Sequence, residues 1–190
     1  MPDKAFLFLY PQPEIFKHEL RSKDNHFKKK YNMALNRCIH ERYRQKDFSI
    51  NYAILNDCEI SDIIELQHLD KVLKVGMDST THRTQVNKKY PYPNEDYIIN
   101  QLGEIELLRI AGFHAYDCCD KIAKRAYEKG IDTLVDEDLT QFFQMIFQDK
   151  DFKYDSYPSV NPKKGLNKEL WRNFLENRKD KPWFLQDFNW

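Results

Sequence analysis

The stretch IELLRIAGFHAYDCCDKIAKRAYEKGIDTLV, residues 105–135, holds an apolar run, a helix-like run and a second apolar run. We predict a strand over Ile105–Ala111, a helix over Asp117–Lys129 that Gly130 closes, and a strand over Ile131–Val135. A strand, a helix and a strand in this order form a βαβ unit, whose two strands run parallel. The stretch therefore indicates an α/β fold with a parallel sheet.

Further strands and helices alternate in the rest of the chain. The additional strands are predicted at Ala5–Tyr10, Phe48–Leu55 and Val72–Met77. The additional helices are predicted at His26–Lys46, Ile60–Leu69, from an N-cap at Asn94 to Leu102, and at Leu139–Phe147 with Asp138 as N-cap, and Asp78–Lys89 is predicted to be a long loop. AFLFLY in the first strand is apolar on both faces, as a strand covered by two layers must be. The pattern predicts a three-layer α-β-α sandwich with a mostly parallel central sheet.

The aromatic content divides the chain into two parts. Residues 1–142 form the predicted α/β domain, and residues 143–190 form an aromatic-rich C-terminal extension interrupted by prolines. Within this extension one helix is expected, from about Asn167 to Arg178. So many aromatic side chains are atypical of a disordered tail. We expect the extension to pack on the domain or on a partner subunit, and a homodimer is the expected assembly.

The composition restricts the classes of partner. The 190 residues hold 30 Lys+Arg and 30 Asp+Glu, so the formal net charge is zero and gives no argument for a nucleic acid or an acidic membrane. No apolar run is long enough to cross a bilayer. The basic residues of the His26–Lys46 helix are interpreted as a solvated face rather than an anion site; they are Lys28, Lys29, Lys30, Arg37, Arg42 and Arg44. The four cysteines show no zinc spacing and are expected to be reduced thiols in a cytoplasmic protein.

Cys118 and Cys119 stand where the strand at Ile105–Ala111 leads into a helix. Amides at the start of a helix favour a thiolate, and they can also hold an oxyanion formed from an attacked carbonyl. Cys119 points about 100° away around the helix and is expected on its buried face. A cysteine beside an apolar strand is more often a small core residue, so both interpretations of Cys118 stay open.

This segment resembles the nucleophile region of the isochorismatase-like cysteine hydrolases, which include nicotinamidases and related amidases. In that family an apolar strand ends in a glycine and the nucleophilic cysteine follows six residues later, as in Gly112 and Cys118. In the family a helix with small residues follows, which corresponds to Ala123 and Ala126. The glycine that closes this helix corresponds to Gly130, and the acidic residue after the next strand corresponds to Asp138. The resemblance covers most of residues 4–140 and is specific around Cys118. It implies a catalytic lysine at Lys74, in VLKVG, although a lysine inside a short strand can equally well extend to solvent along its stem.

The first strand departs from the family pattern. AFLFLYPQPEIF keeps Gln12 of the family's Asp-x-Gln motif but has Tyr10 where the aspartate belongs. In the family this aspartate accepts the thiol proton, which a tyrosine cannot do near neutral pH. Asp117, His114 or the more distant Glu14 could serve as the base, although the first two are more often turn or capping residues.

A nicotinamidase-type metal site is not expected. The segment after the second strand supplies no histidine at the family position, and the spacing of Asp57, Glu59 and His68 is not diagnostic of a metal. We therefore expect neither a metal nor a cofactor.

The resemblance implies a cysteine-dependent hydrolase that acts on a small amide or a related small molecule. Cys118 would attack the carbonyl carbon, Lys74 would lower the thiol pKa, and Tyr10 would stand at the place of the base. The oxyanion and substrate side of the site would comprise His114, Phe113, Asp117 and Gln12, with backbone amides of His114 and Cys118 as donors. The alternative is a catalytically inactive relative that serves as a ligand-binding or protein-interaction module, which the tyrosine at position 10 favours.

Overall fold

The computed structural model describes residues 3–158, 172 and 175–186 of the chain. Within them, five strands form one sheet in the order β3-β2-β1-β4-β5, and every neighbouring pair is parallel. The strands are β1 (Lys4–Leu9), β2 (Ser49–Ile54), β3 (Lys71–Lys74), β4 (Leu107–Gly112) and β5 (Asp132–Val135). The five predicted strands and the α/β class are therefore confirmed.

Six α-helices connect and cover the strands up to residue 158, and residues 175–178 are also helical. The six are α1 (Pro13–Glu19), α2 (Asn25–Arg42), α3 (Ser79–Arg83), α4 (Glu95–Asn100), α5 (Asp120–Glu128) and α6 (Phe143–Ile146). Asn94 caps α4 as predicted, because its side chain accepts the amide of Tyr97. The sequence prediction did not include α1, and it described the segment that contains α3 as a loop. No helix in the described part of the chain is both long and apolar enough to span a bilayer.

The side chains of β1 alternate between two apolar cores. Ala5, Leu7 and Leu9 pack with α4 and α5 on one side of the sheet. Phe6 and Phe8 pack on the other side, with α1, α2 and α6. Each fully buried phenylalanine contributes about 1.5–3 kcal/mol relative to exposure to water. The alternation makes β1 the central strand of the predicted three-layer sandwich.

The sheet reverses its direction of growth between β1 and β4. β2 and β3 follow β1 on one side, whereas β4 and β5 extend the sheet on the other. In such sheets the crevice beyond the carboxyl ends of the two central strands is the usual ligand site. Here that position is occupied by Tyr10, which follows β1, and by Gly112–Phe113 at the end of β4.

Ile60–Leu69 is not helical, so this prediction was wrong. Its backbone groups form hydrogen bonds with side chains and with carbonyls that are remote in sequence, instead of with each other. The amide of Ser61 donates to the carbonyl of Pro11 at 2.8 Å, and the Asn36 side chain binds both the Ile63 carbonyl and the Glu65 amide. The segment therefore follows the surface of α2 as a series of turns.

The prediction for Asp138 and the helix after it was also wrong. Asp136, not Asp138, caps a 3-10 turn at Glu137–Leu139, and the helix that follows is only α6. Asp138 instead forms an ion pair of 2.9 Å with Arg42. Leu139 itself is buried in the core on the α2 side.

Arg42 does not lie on a solvated face, contrary to the prediction. It is buried, and its Nη1 atom donates to both oxygens of Asp136 at 3.1 and 3.0 Å. Its position, seven residues after Leu35 and four after Cys38, continues the buried stripe of α2. The charge is tolerated there because the two carboxylates of Asp136 and Asp138 neutralise it.

Parts of the C-terminal extension pack into both cores. Phe143 and Phe147 lie in the core on the α2 side, and Trp183 and Phe184 lie in the core on the α5 side. The amide of Val135 in β5 donates to the carbonyl of Trp183 at 2.9 Å, so this segment binds the outer edge of β5 at the end of the strand. The aromatics Trp171, Phe174, Phe188 and Trp190, and most of the helix predicted at Asn167–Arg178, lie outside the described residues.

Candidate active site

Cys118 lies in a wide turn that connects β4 to α5. The chain leaves β4 at Gly112, takes a left-handed conformation at His114 (φ 64°), and forms a π-helical turn over Ala115–Cys119. The carbonyl of His114 accepts the amides of Asp117 and Cys119 at 3.0 and 3.4 Å. This turn places the Cys118 side chain above the carboxyl end of β1.

The Cys118 thiol is buried and faces Tyr10. Only 4% of Cys118 is exposed. Burial and, to a smaller extent, the carboxylate of Asp117 raise the pKa of this thiol to about 12. The ammonium of Lys121 and an interaction with the Tyr10 hydroxyl act in the opposite direction. In the described conformation Cys118 is therefore a neutral thiol near pH 7.

Tyr10 occupies the end of β1 in a left-handed conformation with φ 58°. Its amide donates to the carbonyl of Ala53 at 2.8 Å, so the backbone continues toward β2 for one further residue. Burial and the neighbouring Cys118 raise the pKa of the phenol above its ordinary value. The Tyr10 hydroxyl is thus a proton donor, and it cannot serve as the base that the family places on this strand.

Asp117, Lys121 and Tyr92 form a charged cluster beside the thiol. The carboxylate of Asp117 accepts the Lys121 ammonium at 2.5 Å and the Tyr92 hydroxyl at 2.7 Å. Partial burial opposes ionisation of Asp117, but these two donors and the charge of Lys121 hold its pKa below the ordinary value. Lys121 Nζ also lies 3.8 Å from the centre of the Tyr92 ring. A carboxylate and an ammonium therefore stand within one helical turn of Cys118.

A small cavity lies in front of the thiol. Its volume is about 10 Å³, close to the space that one water molecule needs. The lining residues are Tyr10, Tyr92, Pro93, Glu95, Ile98, Cys118, Lys121 and Ile122. No small amide fits in this volume, so the described conformation is closed.

The structure does not bring Lys74 to Cys118. Lys74 ends the edge strand β3, and its ammonium donates to the carbonyl of Cys58 at 2.8 Å. It lies opposite Ile54 of β2, two strands away from β1. Among the described residues the cation that acts on the Cys118 thiol is Lys121.

Gln12 and Phe113 point away from the cavity. The side-chain carbonyl of Gln12 is buried and accepts the amide of Leu55 at 3.1 Å, which ties the end of β1 to the end of β2. The ring of Phe113 packs in the opposite core, 5.0 Å from the ring of Phe16 and 6.1 Å from that of Phe8. Their side chains support the fold beneath the site.

His114 and Cys119 flank the thiol in different ways. The side chain of His114 is exposed, and its backbone carbonyl organises the turn. Cys119 is fully buried, as predicted, and its sulfur lies 3.7 Å from the carbonyls of Ala111, Gly112 and Phe113. Cys118 is thus the member of the pair that faces the cavity.

Three residues of the site were not identified from the sequence. Lys121 follows Asp117 by four residues and Cys118 by three, and this helical spacing is a signal that could have revealed it. Tyr92 and His82 come from the segment between β3 and α4, where no periodic pattern indicates their position. The His82 ring stacks on Tyr10 with centroids 5.9 Å apart and meets the Tyr92 ring edge-on at 6.0 Å.

The residues considered for a metal do not form a ligand set. The Asp57 carboxylate accepts the amide and the hydroxyl of Ser79 at 2.7 and 2.5 Å, which lowers the pKa of Asp57. Over residues 3–158, 172 and 175–186, no three or more His, Cys, Asp or Glu side chains group as metal ligands would.

A larger cleft lies far from the thiol, on the outer face of α2. Its volume is about 970 Å³, and Lys30, Met33, Arg37, His40 and Tyr154 are among its lining residues. Two of its cations already have acidic partners, because Arg37 pairs with Glu41 and Arg44 pairs with Asp70. The cleft therefore carries little unbalanced charge, and its chemistry indicates no ligand class.

Comparison with known proteins gives distant structural likenesses. No protein-family model matches the chain, and no curated protein matches it. An N-carbamoylsarcosine amidase of Thermoplasma acidophilum is 16% identical, with a TM-score of 0.48, over 77% of this chain and 93% of the amidase. A MAR1 ribonuclease of Caenorhabditis elegans is 12% identical, with a TM-score of 0.45, over 77% of this chain and 72% of the ribonuclease.

A Leishmania major chain assigned to the MAR1 ribonucleases is 14% identical, with a TM-score of 0.46, over 73% of this chain. The present chain spans 65% of the length of that protein. Likenesses at this level of identity and overlap carry no argument about activity, which must be argued from the site itself.

Proposed function

We propose that this chain is a member of the isochorismatase-like superfamily and a cysteine-dependent hydrolase of a small amide, with Cys118 as its nucleophile. One observation carries the proposal. Cys118 lies in the turn beyond β4, at the crevice where the sheet reverses direction, and it faces a cavity at the carboxyl end of β1. The glycine-to-cysteine register that resembles the family's nucleophile region thus lies at the part of the fold where ligands usually bind.

In this proposal the charged groups of the reaction come from a single helical turn. Asp117 supplies the ionised carboxylate that the first strand lacks, and Lys121 supplies the cation that favours a thiolate. Tyr10 and Lys74, which stand at the family positions, would then have no direct proton-transfer role. Tyr10 would donate to the sulfur, and Lys74 would hold the loop after β2 through Cys58.

The chemistry requires two steps, acylation of Cys118 and hydrolysis of the thioester. In the first, the Cys118 proton moves to Asp117, and the sulfur attacks the amide carbon. The C–N bond breaks, the amine leaves with the proton from Asp117, and the acyl group remains on sulfur as a thioester. In the second, water attacks the thioester, Asp117 takes its proton, and the acid leaves as that proton returns to sulfur. Backbone amides of His114 and Cys118 are the proposed donors to the oxyanion.

A second candidate is a catalytically inactive module on the same scaffold. The observation that favours it is the pair of Tyr10 and Cys118, in which a buried phenol replaces the carboxylate and burial raises the thiol pKa to about 12. On this view the site is part of the apolar core, and the protein binds a ligand or another protein elsewhere.

Detection of the covalent intermediate separates the two candidates. The protein is incubated with a panel of small primary amides and with esters of the same carboxylic acids. Intact-mass spectrometry followed by peptide mapping locates any acyl group. We expect acylation at Cys118 together with turnover, and loss of both in Cys118→Ala. Cys58→Ala is the matched control, because Cys58 is a half-buried free thiol outside the cavity.

Equal turnover by wild type and Cys118→Ala would contradict the proposed nucleophile. Absence of acylation and of turnover across the whole panel, including activated esters, would favour the inactive module.

A further inference from the structure

The segment that covers Cys118 has few anchors to the rest of the domain. This segment, residues 78–93, contains α3 and runs to the proline before α4. None of residues 78–92 is buried, and residues 83–90 are all exposed. Segments with few buried apolar contacts open at low free-energy cost compared with the core of a domain.

The contacts of this segment with the domain cluster around the thiol. Tyr92 donates to Asp117 at 2.7 Å, and Lys121 lies over the Tyr92 ring. The His82 ring stacks on Tyr10, and within the segment His82 Nδ1 lies 2.9 Å from the Pro91 carbonyl. At the other end of the segment, Ser79 is bound to Asp57.

The cavity in front of Cys118 depends on the same contacts. Tyr92 and Pro93 line it together with Tyr10 and Cys118. A volume of about 10 Å³ excludes any amide, yet lateral movement of Tyr92 would remove one wall of the cavity. The residue that closes the cavity is thus also the residue that anchors the segment to the charged cluster.

We propose that residues 78–93 form a lid that closes over Cys118, held shut by the hydrogen bond from Tyr92 to Asp117, and that a substrate or reagent reaches the thiol only when this lid opens. The inference rests on the proposed function for its biological meaning, but lid opening itself does not require catalysis. Closure of the lid also ties Asp117 and Lys121 to Tyr92, so opening frees this ion pair from Tyr92 while Asp117 and Lys121 stay bound to each other.

The test measures alkylation of Cys118 by iodoacetamide in the folded protein at fixed pH, with each cysteine followed separately by peptide mass spectrometry. When opening is fast relative to alkylation, the rate reports the population of the open form. Tyr92→Phe removes the hydroxyl that binds the carboxylate while keeping the ring. A hydrogen bond to a charged group corresponds to a shift of about 10-fold or more in the opening equilibrium, so we expect Cys118 to react about 10-fold faster.

Tyr90→Phe is the matched control, because Tyr90 is an exposed tyrosine of the same segment and does not line the cavity. In this variant Cys118 should be alkylated at the wild-type rate. Cys38, buried in the other core, reports global unfolding and should stay unreactive in every variant. An unchanged Cys118 rate in Tyr92→Phe would overturn the lid, and so would a parallel rise at Cys38 and Cys118.

The outcomes also separate the lid from the hydrolase. Faster alkylation without any acylation by amides would retain the lid and reject the proposed function. Turnover at Cys118 with an unchanged alkylation rate in Tyr92→Phe would retain the hydrolase and reject the lid.

Discussion

At the scale of single residues, Gly112 fixes the position of the candidate nucleophile. Its φ of 116° is one that side chains rarely adopt, and a Cβ at this position would lie 2.3 Å from the Leu9 carbonyl oxygen and 2.6 Å from the Leu9 nitrogen. β1 and β4 can approach at this point only because the side chain is absent. The turn to Cys118 begins from this close contact.

Gly112→Ala should therefore destabilise the protein by about 3 kcal/mol or more, because backbone strain and a contact with main-chain atoms add together. Gly103→Ala is the matched control. Gly103 also has a positive φ (80°), but a Cβ added there would meet no atom within 4 Å, so a cost of about 1–2 kcal/mol is expected. Urea unfolding of both variants measures the difference, and equal costs would show that the close contact relaxes.

At the scale of elements, the end of β5 and the turn after it form a buried charged junction. Asp136 and Asp138 bind Arg42 at the end of α2, and Glu137 is directed to another set of partners. The Glu137 carboxylate accepts the hydroxyls of Tyr116 and Tyr157 and pairs with Arg178 at 3.1 Å. One short turn thus connects α2, the candidate-site turn and the C-terminal extension.

Burial raises the pKa of Glu137 to about 7, against the opposing effects of Arg178 and the two tyrosines. The folded state therefore binds a proton more tightly than the unfolded chain, and the free energy of unfolding should fall as the pH rises from about 4.5 to about 7. The shift corresponds to about 3 kcal/mol at most. Glu137→Gln should remove this part of the pH dependence, so urea unfolding at pH 4.5 and pH 7.5 should show a smaller change in the variant.

Identical pH profiles of stability for wild type and Glu137→Gln would mean that Glu137 is ionised throughout this range, held by Arg178.

The sequence predicted elements more reliably than it predicted contacts. Apolar strands such as Ala5–Tyr10 carry their own signal, because both faces of each strand are buried. The charge of Arg42 predicts an exposed side chain. Its burial could be predicted only from its position on the buried stripe of α2. The turns of Ile60–Leu69 depend on Asn36, which is remote in sequence.

The candidate site was predictable where its residues are local. Gly112, Cys118, Asp117 and Lys121 lie within ten residues of one another, and helical spacing relates the last three. Tyr92 reaches the site through a tertiary contact across 25 residues, which no local pattern encodes. Lys74 likewise binds the Cys58 carbonyl and does not reach Cys118, because β3 lies at the edge of the sheet, two strands from β1.

At the scale of the whole molecule, the two cores are completed by residues from the C-terminal extension. Phe184 is fully buried and packs 5.4 Å from the ring of Tyr116 in the turn that holds Cys118. Trp183 donates from its indole nitrogen to Asp120 at 2.6 Å, and Lys181 binds the same carboxylate. The division into 1–142 and 143–190, and the homodimer, stay predictions.

Phe184→Ala should destabilise the protein by about 3–5 kcal/mol, because it leaves a large cavity beside α5 and the candidate-site turn. Leu175→Ala is the control, since Leu175 is exposed and its truncation should change stability by no more than about 0.5 kcal/mol. Thermal or urea unfolding measures both. A small loss in Phe184→Ala would indicate that residues 181–186 pack on the domain without stabilising it.

The hydrogen bond from Val135 to the Trp183 carbonyl has a consequence for synthesis on the ribosome. All five strands have been synthesised once residue 135 is added, yet the segment that binds the outer edge of β5 is made only about fifty residues later. In that interval the nascent chain exposes an uncovered parallel edge, to which a neighbouring chain can add a strand. Slow translation between these two points would prolong the time during which the chain is open to aggregation.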